Sequence, residues 1–388
     1  MNTYHPGNQV QLLKSGAEYF PALEQAIDAS VHEVRLETYI LADDETGRRI
    51  VAALKRAVKR GVNVRVAYDG FGSSAFLGKL GDEMEAGGID AAVFRPETGW
   101  NRFRRSRLRR LHRKLVAVDG HTAFVGGINI IDDLNMPAPV RGNPEPRFDY
   151  AVRVQGPLLA PIHDAMCQLW VGLKQDDRSQ KGAAIAACPP VSDVAGDHHA
   201  WFAFRDNVSH RRDIEREYLT AILAAKEEIL IANAYFFPGR RFRRALLRAR
   251  RHGVKVRLLL QGRQEYLLQH YATRALYGTL LDAGVELYEY RPSFLHAKVA
   301  VVDGTWATVG SSNIDPFSLL LAREANVFVR DASFSATLKA SLDEAIKSNS
   351  TVIHAKRWSS RPLVDRVLTW ALYGVARALM SMLGYGRH

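Results

Sequence analysis

Two short stretches of this chain place an imidazole and an ammonium two residues apart, and each is a copy of the other. The first reads Leu111-His112-Arg113-Lys114 and the second Leu295-His296-Ala297-Lys298. An apolar run follows each, then an Asp-Gly pair, Asp119-Gly120 and Asp303-Gly304. A glycine-containing turn ending in asparagine comes next: Gly126-Gly127-Ile128-Asn129 and Gly310-Ser311-Ser312-Asn313. In both copies the aspartate lies seven residues after the histidine and the asparagine 17. One His-x-Lys on a strand is ordinarily structural, but two with the same downstream spacings are not coincidence.

Side chains alternate along a strand, so His112 shares a face with Lys114, and His296 with Lys298. One such set is weak chemistry. Two sets that meet form a site for phosphoryl transfer, in which both lysines neutralise the non-bridging oxygens and the amides of Asn129 and Asn313 donate to them. One histidine, neutral, attacks phosphorus and becomes a phosphohistidine. The other, protonated, gives its proton to the leaving alkoxide and then takes one from the incoming hydroxyl. Imidazole suits both roles because its unperturbed pKa is about 6.5. The lysines and asparagines do the work of a divalent metal, so neither a metal nor another cofactor is expected. Asp119 and Asp303 complete the motif and are counted with the catalytic set. Strand alternation nevertheless sends them to the opposite face, where an aspartate holds the fold or a turn.

The elements that position these groups are also written twice. Lys59-Arg60-Gly61-Val62-Asn63-Val64-Arg65-Val66 resembles Arg251-His252-Gly253-Val254-Lys255-Val256-Arg257-Leu258. Each half predicts a strand (33–40; 228–236), a basic amphipathic helix ended by glycine (48–59; 241–251), a β-branched strand (62–67; 254–260), a helix ending at Gly88 or Gly284, and then the motif strand with a second strand. Strands alternating with helices predict an α/β fold, two homologous lobes that each have a central mixed sheet flanked by helices, related by a pseudo-twofold axis and sharing one active site. The expected divisions are a first lobe at 1–174, a polar linker at 175–197, a second lobe at 198–355 and a tail at 356–388.

The doubled His-x-Lys, the Asp four residues after each lysine's apolar run begins, and the Gly-Gly/Ser-x-Asn turn make the chain resemble the phospholipase D superfamily. Within it the chain is similar to the bacterial cardiolipin synthases of the B type, through Asp149-Tyr150-Ala151-Val152-Arg153-Val154-Gln155-Gly156-Pro157, Asn313-Ile314-Asp315-Pro316-Phe317-Ser318-Leu319 and Glu324-Ala325-Asn326-Val327. The resemblance implies that His112 is the nucleophile, that His296 is the general acid and base, and that an acidic residue stands beside each, matching Asp149 and Glu324. Glu324 follows Asn313 by 11 residues but Asp149 follows Asn129 by 20, so the first half carries an insertion containing Met136-Pro137-Ala138-Pro139. It further implies a phosphatidyl transfer in which phosphatidylglycerol is donor and acceptor, with phosphatidylethanolamine or glycerol as other second substrates. A lipid hydrolase of the phospholipase D type would use the same residues with water as acceptor, and a nuclease of the superfamily is the remaining enzymatic reading. The two transmembrane helices found at the start of other cardiolipin synthases have no counterpart here.

Charge and the last residues point to a lipid surface. The chain has 53 Lys and Arg against 41 Asp and Glu, a formal net charge of +12, which favours polyanions. Arginines cluster at 102–113 and at 240–251. They lack the interleaved aromatics of single-strand binders, so nucleic acid is not an expected partner and an anionic membrane surface is. Residues 363–383 place Arg366, Thr369, Tyr373, Arg377 and Ser381 on one stripe of an otherwise apolar helix, which fits an interfacial rather than a spanning segment. No signal sequence is evident, and two cysteines, Cys167 and Cys188, fit free thiols in a reducing compartment. The expected location is the cytoplasmic side of a bacterial membrane, held peripherally.

Overall fold

The structure, a computed structural model, describes residues 3–96, 109–135, 145–176, 193–206, 210–265, 267–315 and 322–380. The first half runs β1 (His5–Lys14), α1 (Ser15–Asp28), β2 (Glu33–Thr38), α2 (Glu45–Lys59), β3 (Asn63–Asp69), α3 (Leu80–Ala86), β4 (Asp90–Phe94), β5 (Lys114–Val118), β6 (Thr122–Gly126), β7 (Tyr150–Gln155) and α4 (Leu159–Asp176). The second repeats it as β8 (His198–Phe204), α5 (Asp213–Ala224), β9 (Glu228–Asn233), α6 (Arg240–Arg251), β10 (Lys255–Gln261), α7 (Leu267–Arg274), α8 (Tyr277–Asp282), β11 (Glu286–Tyr290), β12 (Lys298–Val302), β13 (Trp306–Gly310), β14 (Ala325–Arg330) and α9 (Ala332–Asn349). β15 (Ser350–Ile353), α10 (Ala355–Ser359) and α11 (Leu363–Met380) follow.

The strands lie in the order β15-β11-β10-β9-β12-β13-β14-β8-β1-β7-β6-β5-β2-β3-β4. Read outward from the β8–β1 junction, the two halves list equivalent strands in the same order, which is the expected pseudo-twofold arrangement of two mixed sheets. In each half the β2-β3-β4 type strands are parallel and the motif strands antiparallel. The short β1–β8 ladder makes the two sheets continuous, an edge pairing that the sequence reading did not contain.

Alternation along β5 and β12 sorts the core. Leu115 and Ala117 meet Val299, Val301, Ala307 and Val309 in one cluster shared by both halves, with residues of α4 and α9 at its sides. Val116 and Val118 instead pack under α1 and α2, and Ala300 and Val302 under α5 and α6. The inner cluster therefore joins the lobes, and the outer ones fix the helices to each sheet. Removing that apolar surface from water, at roughly 25 cal/mol per Å², favours the two motif strands staying packed against each other.

The helices follow from local chemistry. Asp44 caps α2 by accepting from Gly47 N at 2.9 Å, and the apolar positions Ile50, Val51, Leu54 and Ala57 face inward at helical spacing. Trp358 of α10, in the expected tail, packs on Tyr277 inside the second-lobe core. Of the segments singled out in the sequence, Arg102, Arg104, Arg105 and Arg107, the Met136–Pro139 insertion, linker residues 177–192, residues 316–319 and 381–383 lie outside the described residues.

Candidate active site

The two histidines and two lysines of the doubled motif come together with Asp149 and Glu324 where the motif strands of the two lobes enter the sheet, and the histidines and carboxylates are joined crosswise. The backbone N–H of His112 donates to Arg323 O at 3.0 Å, so the first motif strand is pinned to the residue before Glu324. The backbone N–H of His296 donates to Phe148 O at 2.8 Å, pinning the second motif strand to the residue before Asp149. The side chains follow the backbone. His112 Nδ1 lies 3.1 Å from Glu324 Oε2, and His296 Nδ1 lies 2.6 Å from Asp149 Oδ2. Each histidine thus takes its carboxylate from the other half. A carboxylate on Nδ1–H fixes the tautomer and leaves the Nε2 lone pair free. The sequence reading set an acid beside each histidine without saying which. Asp149 takes its place despite the longer connection from Asn129.

The two carboxylates are held differently. Ser311 Oγ donates to Glu324 Oε2 at 2.5 Å and accepts from Ala325 N at 3.0 Å. The equivalent residue in the first half is Gly127, and a Cβ there would stand 2.4 Å from Asp149 Oδ1. The shorter aspartate therefore fills the space a serine would need, while Tyr150 N donates to Asp149 Oδ1 at 2.8 Å.

Both lysines turn back on their own strand. Lys114 Nζ donates to His112 O at 2.5 Å, and Lys298 Nζ donates to His296 O. Lys298 Nζ also stands 2.8 Å from His296 Nδ1. An ammonium and an N–H cannot donate to each other, so the carboxylate takes the imidazole proton and the carbonyl takes the ammonium's. Lys114 and Lys298 are 3% and 0% exposed, which makes their charges expensive without anionic neighbours. Burial pushes Lys114 down to about 7 and Lys298 down to about 8, against the pull of Glu324 and Asp149 in the other direction. Burial likewise lowers His112, partly offset by Glu324, and drives His296 well below its ordinary value together with Lys298 and Arg147. Burial raises Asp149 to about 6. The charges of Lys114 and His112 act on His296, and that of Lys298 acts on His112 and Lys114, as one enclosed cluster requires.

Asn129 and Asn313 are buried in the turns beside this cluster. Asn129 Oδ1 accepts from Ile40 N at 3.1 Å, which fixes the oxygen end of its amide. Other neighbours escaped the sequence reading. The Tyr39 ring lies 4.9 Å from the His112 ring, with Lys114 Nζ over it at 5.4 Å. Glu265, hydrogen-bonded by Tyr235, is raised by burial and feels the charges of Arg147 and Lys298. Tyr39 immediately follows β2, and that position after a repeated strand was the one available signal.

Asp119 and Asp303 are corrected as members of the catalytic set. Seven residues of extended strand span up to about 23 Å, so neither reaches the phosphorus its histidine would attack. Both adopt left-handed φ, 50° and 49°, followed by Gly120 and Gly304 at 65° and 62°. His121 N donates to Val118 O and Thr305 N to Val302 O, closing tight turns whose two left-handed residues an Asp-Gly pair favours. Their carboxylates accept three successive backbone N–H groups, Val31, His32 and Glu33 for Asp119, and Lys226, Glu227 and Glu228 for Asp303. They tie the far end of each motif strand to the start of β2 or β9. Arg113 is a second correction. Counted with the basic cluster, it is 1% exposed and bonded to Glu37 at 2.6 Å and 3.1 Å, and to Ala165 O, on the α4 side of the sheet.

Comparison with known proteins places this arrangement. The phospholipase D-like domain of cardiolipin synthases matches residues 23–134 and 218–346, one stretch in each lobe. Cardiolipin synthase B of Salmonella typhi is 40% identical over 343 residues, covering 88% of this chain and 81% of that protein. Cardiolipin synthase B of Escherichia coli K12 is 37% identical over 361 residues, covering 92% and 86%. Among solved structures, phosphatidylserine synthase of Haemophilus influenzae Rd KW20 superposes with a TM-score of 0.68 over 97% of this chain and 95% of that one, at 13% identity, a likeness of fold. The chain belongs to the phospholipase D-like cardiolipin synthase family. It is accordingly an enzyme of the phosphatidyltransferase class, acting on phospholipids.

Proposed function

We propose that this enzyme makes cardiolipin by moving a phosphatidyl group from one phosphatidylglycerol to another through a phosphohistidine at His112. The observation that carries the reading is the crosswise pairing, His112 with Glu324 and His296 with Asp149, which draws both imidazoles into one buried, doubly cationic pocket.

His112 Nε2 attacks phosphorus as the bond to the headgroup glycerol oxygen breaks. His296, carrying a proton on Nε2, delivers it to that oxygen, and glycerol leaves. A free hydroxyl of a second phosphatidylglycerol then gives its proton to His296 and attacks phosphorus. The phosphorus–nitrogen bond breaks, and cardiolipin departs. Lys114, Lys298 and the amides of Asn129 and Asn313 hold the non-bridging oxygens throughout. The depressed imidazoles fit the first step, since a neutral His112 is the competent nucleophile. His296 gains its proton as the phosphodiester anion enters, because a negative charge in a low-dielectric site favours the cationic imidazole. Glu324 and Asp149 stabilise whichever imidazole is charged. We place the enzyme peripherally on the cytoplasmic face of a bacterial membrane, supported by the net charge of +12 and the solvent-facing arginines of α6.

The test is purified protein with phosphatidylglycerol vesicles, followed by lipid analysis. Cardiolipin and glycerol in equal amounts are expected. Phosphatidic acid as the sole lipid product would replace the transfer reading with hydrolysis, and no lipid product from folded protein would reject both.

A further inference from the structure

The last helix is turned the opposite way from an ordinary surface helix. On α11 the middle of the polar stripe faces the protein, while Arg366 at its start stays exposed: Thr369 is 2% exposed, the Tyr373 ring packs on Phe237 at 5.6 Å, and the Arg377 guanidinium lies over the Tyr373 ring. The large apolar residues face out. Leu363, Val364, Val367, Leu368, Trp370 and Val375 are 42–77% exposed and lie on the arc opposite Thr369. No described helix is long and apolar enough to cross a membrane. A contiguous apolar face of this size on a helix that does not span calls for a partner that removes it from water.

Charge and position decide which partner. Lys356 and Arg357 on α10 and Arg366 in the first turn of α11 are exposed. Basic residues at the edge of an apolar face match an anionic lipid surface, where headgroups sit beside acyl chains. The face also belongs to the site's side of the molecule. α11 packs on α7, and Phe237, which receives Tyr373, donates its backbone N–H to Ile314 O, the residue after Asn313. Between α7 and that loop lies a small apolar pocket bordered by Phe237, Leu268, Ala272 and Asp315.

We infer that α11 lies in the plane of an anionic phospholipid leaflet with its outward face sunk among the acyl chains, holding the catalytic pocket at the headgroup level. This rests on the lipid-active reading above and goes beyond it by naming the inserting surface and its orientation. From Thr369 to Tyr373 the stripe docks on the second lobe rather than lying on the bilayer, as an isolated amphipathic helix would suggest.

The double variant Val364→Glu with Val367→Glu changes two side chains that are 77% and 60% exposed, so the fold is preserved. Co-sedimentation with vesicles of phosphatidylglycerol and phosphatidylcholine should fall at least tenfold relative to wild type. Turnover of vesicle phosphatidylglycerol should fall similarly, while turnover of a short-chain, monomerically dispersed phosphatidylglycerol stays within about twofold. Brominated-chain lipids should quench an emission component that Trp370→Phe removes. Unchanged vesicle binding by the double variant overturns the inference. So does a wild-type dimer that the variant splits without losing vesicle binding, since a second copy would then cover the face. Vesicle binding lost on substitution with no cardiolipin from either protein would leave the helix standing and reject the reaction instead.

Discussion

The two lobes share a frame and differ in what they hang on it. The hairpins of Asp119 and Asp303 repeat to within about 3° of φ and to equivalent sets of three backbone donors. The active ends diverge. Glu324 is steadied by Ser311, whereas Asp149 occupies space that Gly127 leaves open. Arg113 pairs with Glu37 behind the first motif strand, where the second has Ala297 in the same register and no charge. Burial and neighbouring cations lower both histidines, but Glu324 pulls His112 back up, whereas Arg147 adds to the cations that hold His296 well below its ordinary value. Duplication conserved the parts that set strand position and let the electrostatics drift apart.

The sharpest way to break the comparison is to remove an imidazole. His112→Ala and His296→Ala should each lower transfer by about 10⁴-fold or more, measured as cardiolipin formed per minute, with unchanged circular dichroism. Comparable residual rates above that level in both would end the shared-site reading. The crosswise carboxylates come next. Glu324→Gln should act as a His112 defect and Asp149→Asn as a His296 defect, each costing about 10²–10³-fold. With an activated leaving group that needs no proton, Asp149→Asn should recover much of its rate and Glu324→Gln should not. Equal recovery would mean that the halves are interchangeable.

A smaller effect is expected from pH. Lys114 and Lys298, depressed to about 7 and about 8, lose their protons as pH rises, so the free site grows less cationic above neutrality. KM for phosphatidylglycerol in mixed micelles should climb roughly tenfold between pH 7 and 9 while kcat changes less, because a bound phosphodiester holds the ammonium charge. On the acid side, Asp149 takes up a proton as pH falls through about 6, and the rate should fall with it. The smallest catalytic effect belongs to the hairpin aspartates. Asp303→Ala should cost about 1–3 kcal/mol of stability, read as a lower Tm, with kcat within severalfold of wild type. A loss as large as that of His296→Ala at a temperature where the variant is folded would return Asp303 to the catalytic set.

Much of this was legible because the sequence states it twice. His-x-Lys on a strand dictates a shared face, and the glycines at 61 and 253, both at φ 88°, mark equivalent helix ends. Even the turn role of Asp119 followed from counting residues along a strand. What stayed hidden depends on distant partners. His112 and Glu324 are 212 positions apart, and no local pattern chooses between Glu324 and Asp149. Arg113 reads as one more positive charge in a basic run until β2 brings Glu37 behind it. β1 and α1 lie ahead of the stretch, from residue 33 onward, in which the repeat is legible. The stripe on α11 was visible by its spacing, but periodicity gives a face and not the side on which the protein lies.

The most direct test is to trap the covalent intermediate. Wild type and His296→Ala are mixed with a phosphatidyl donor bearing an activated leaving group, quenched in base, digested and examined by mass spectrometry. One phosphatidyl adduct per chain on His112, longer-lived in His296→Ala because no base activates the acceptor, is the expected result. Adducts on both histidines of one chain, or on neither while cardiolipin forms, would contradict a single pocket built from two unlike halves.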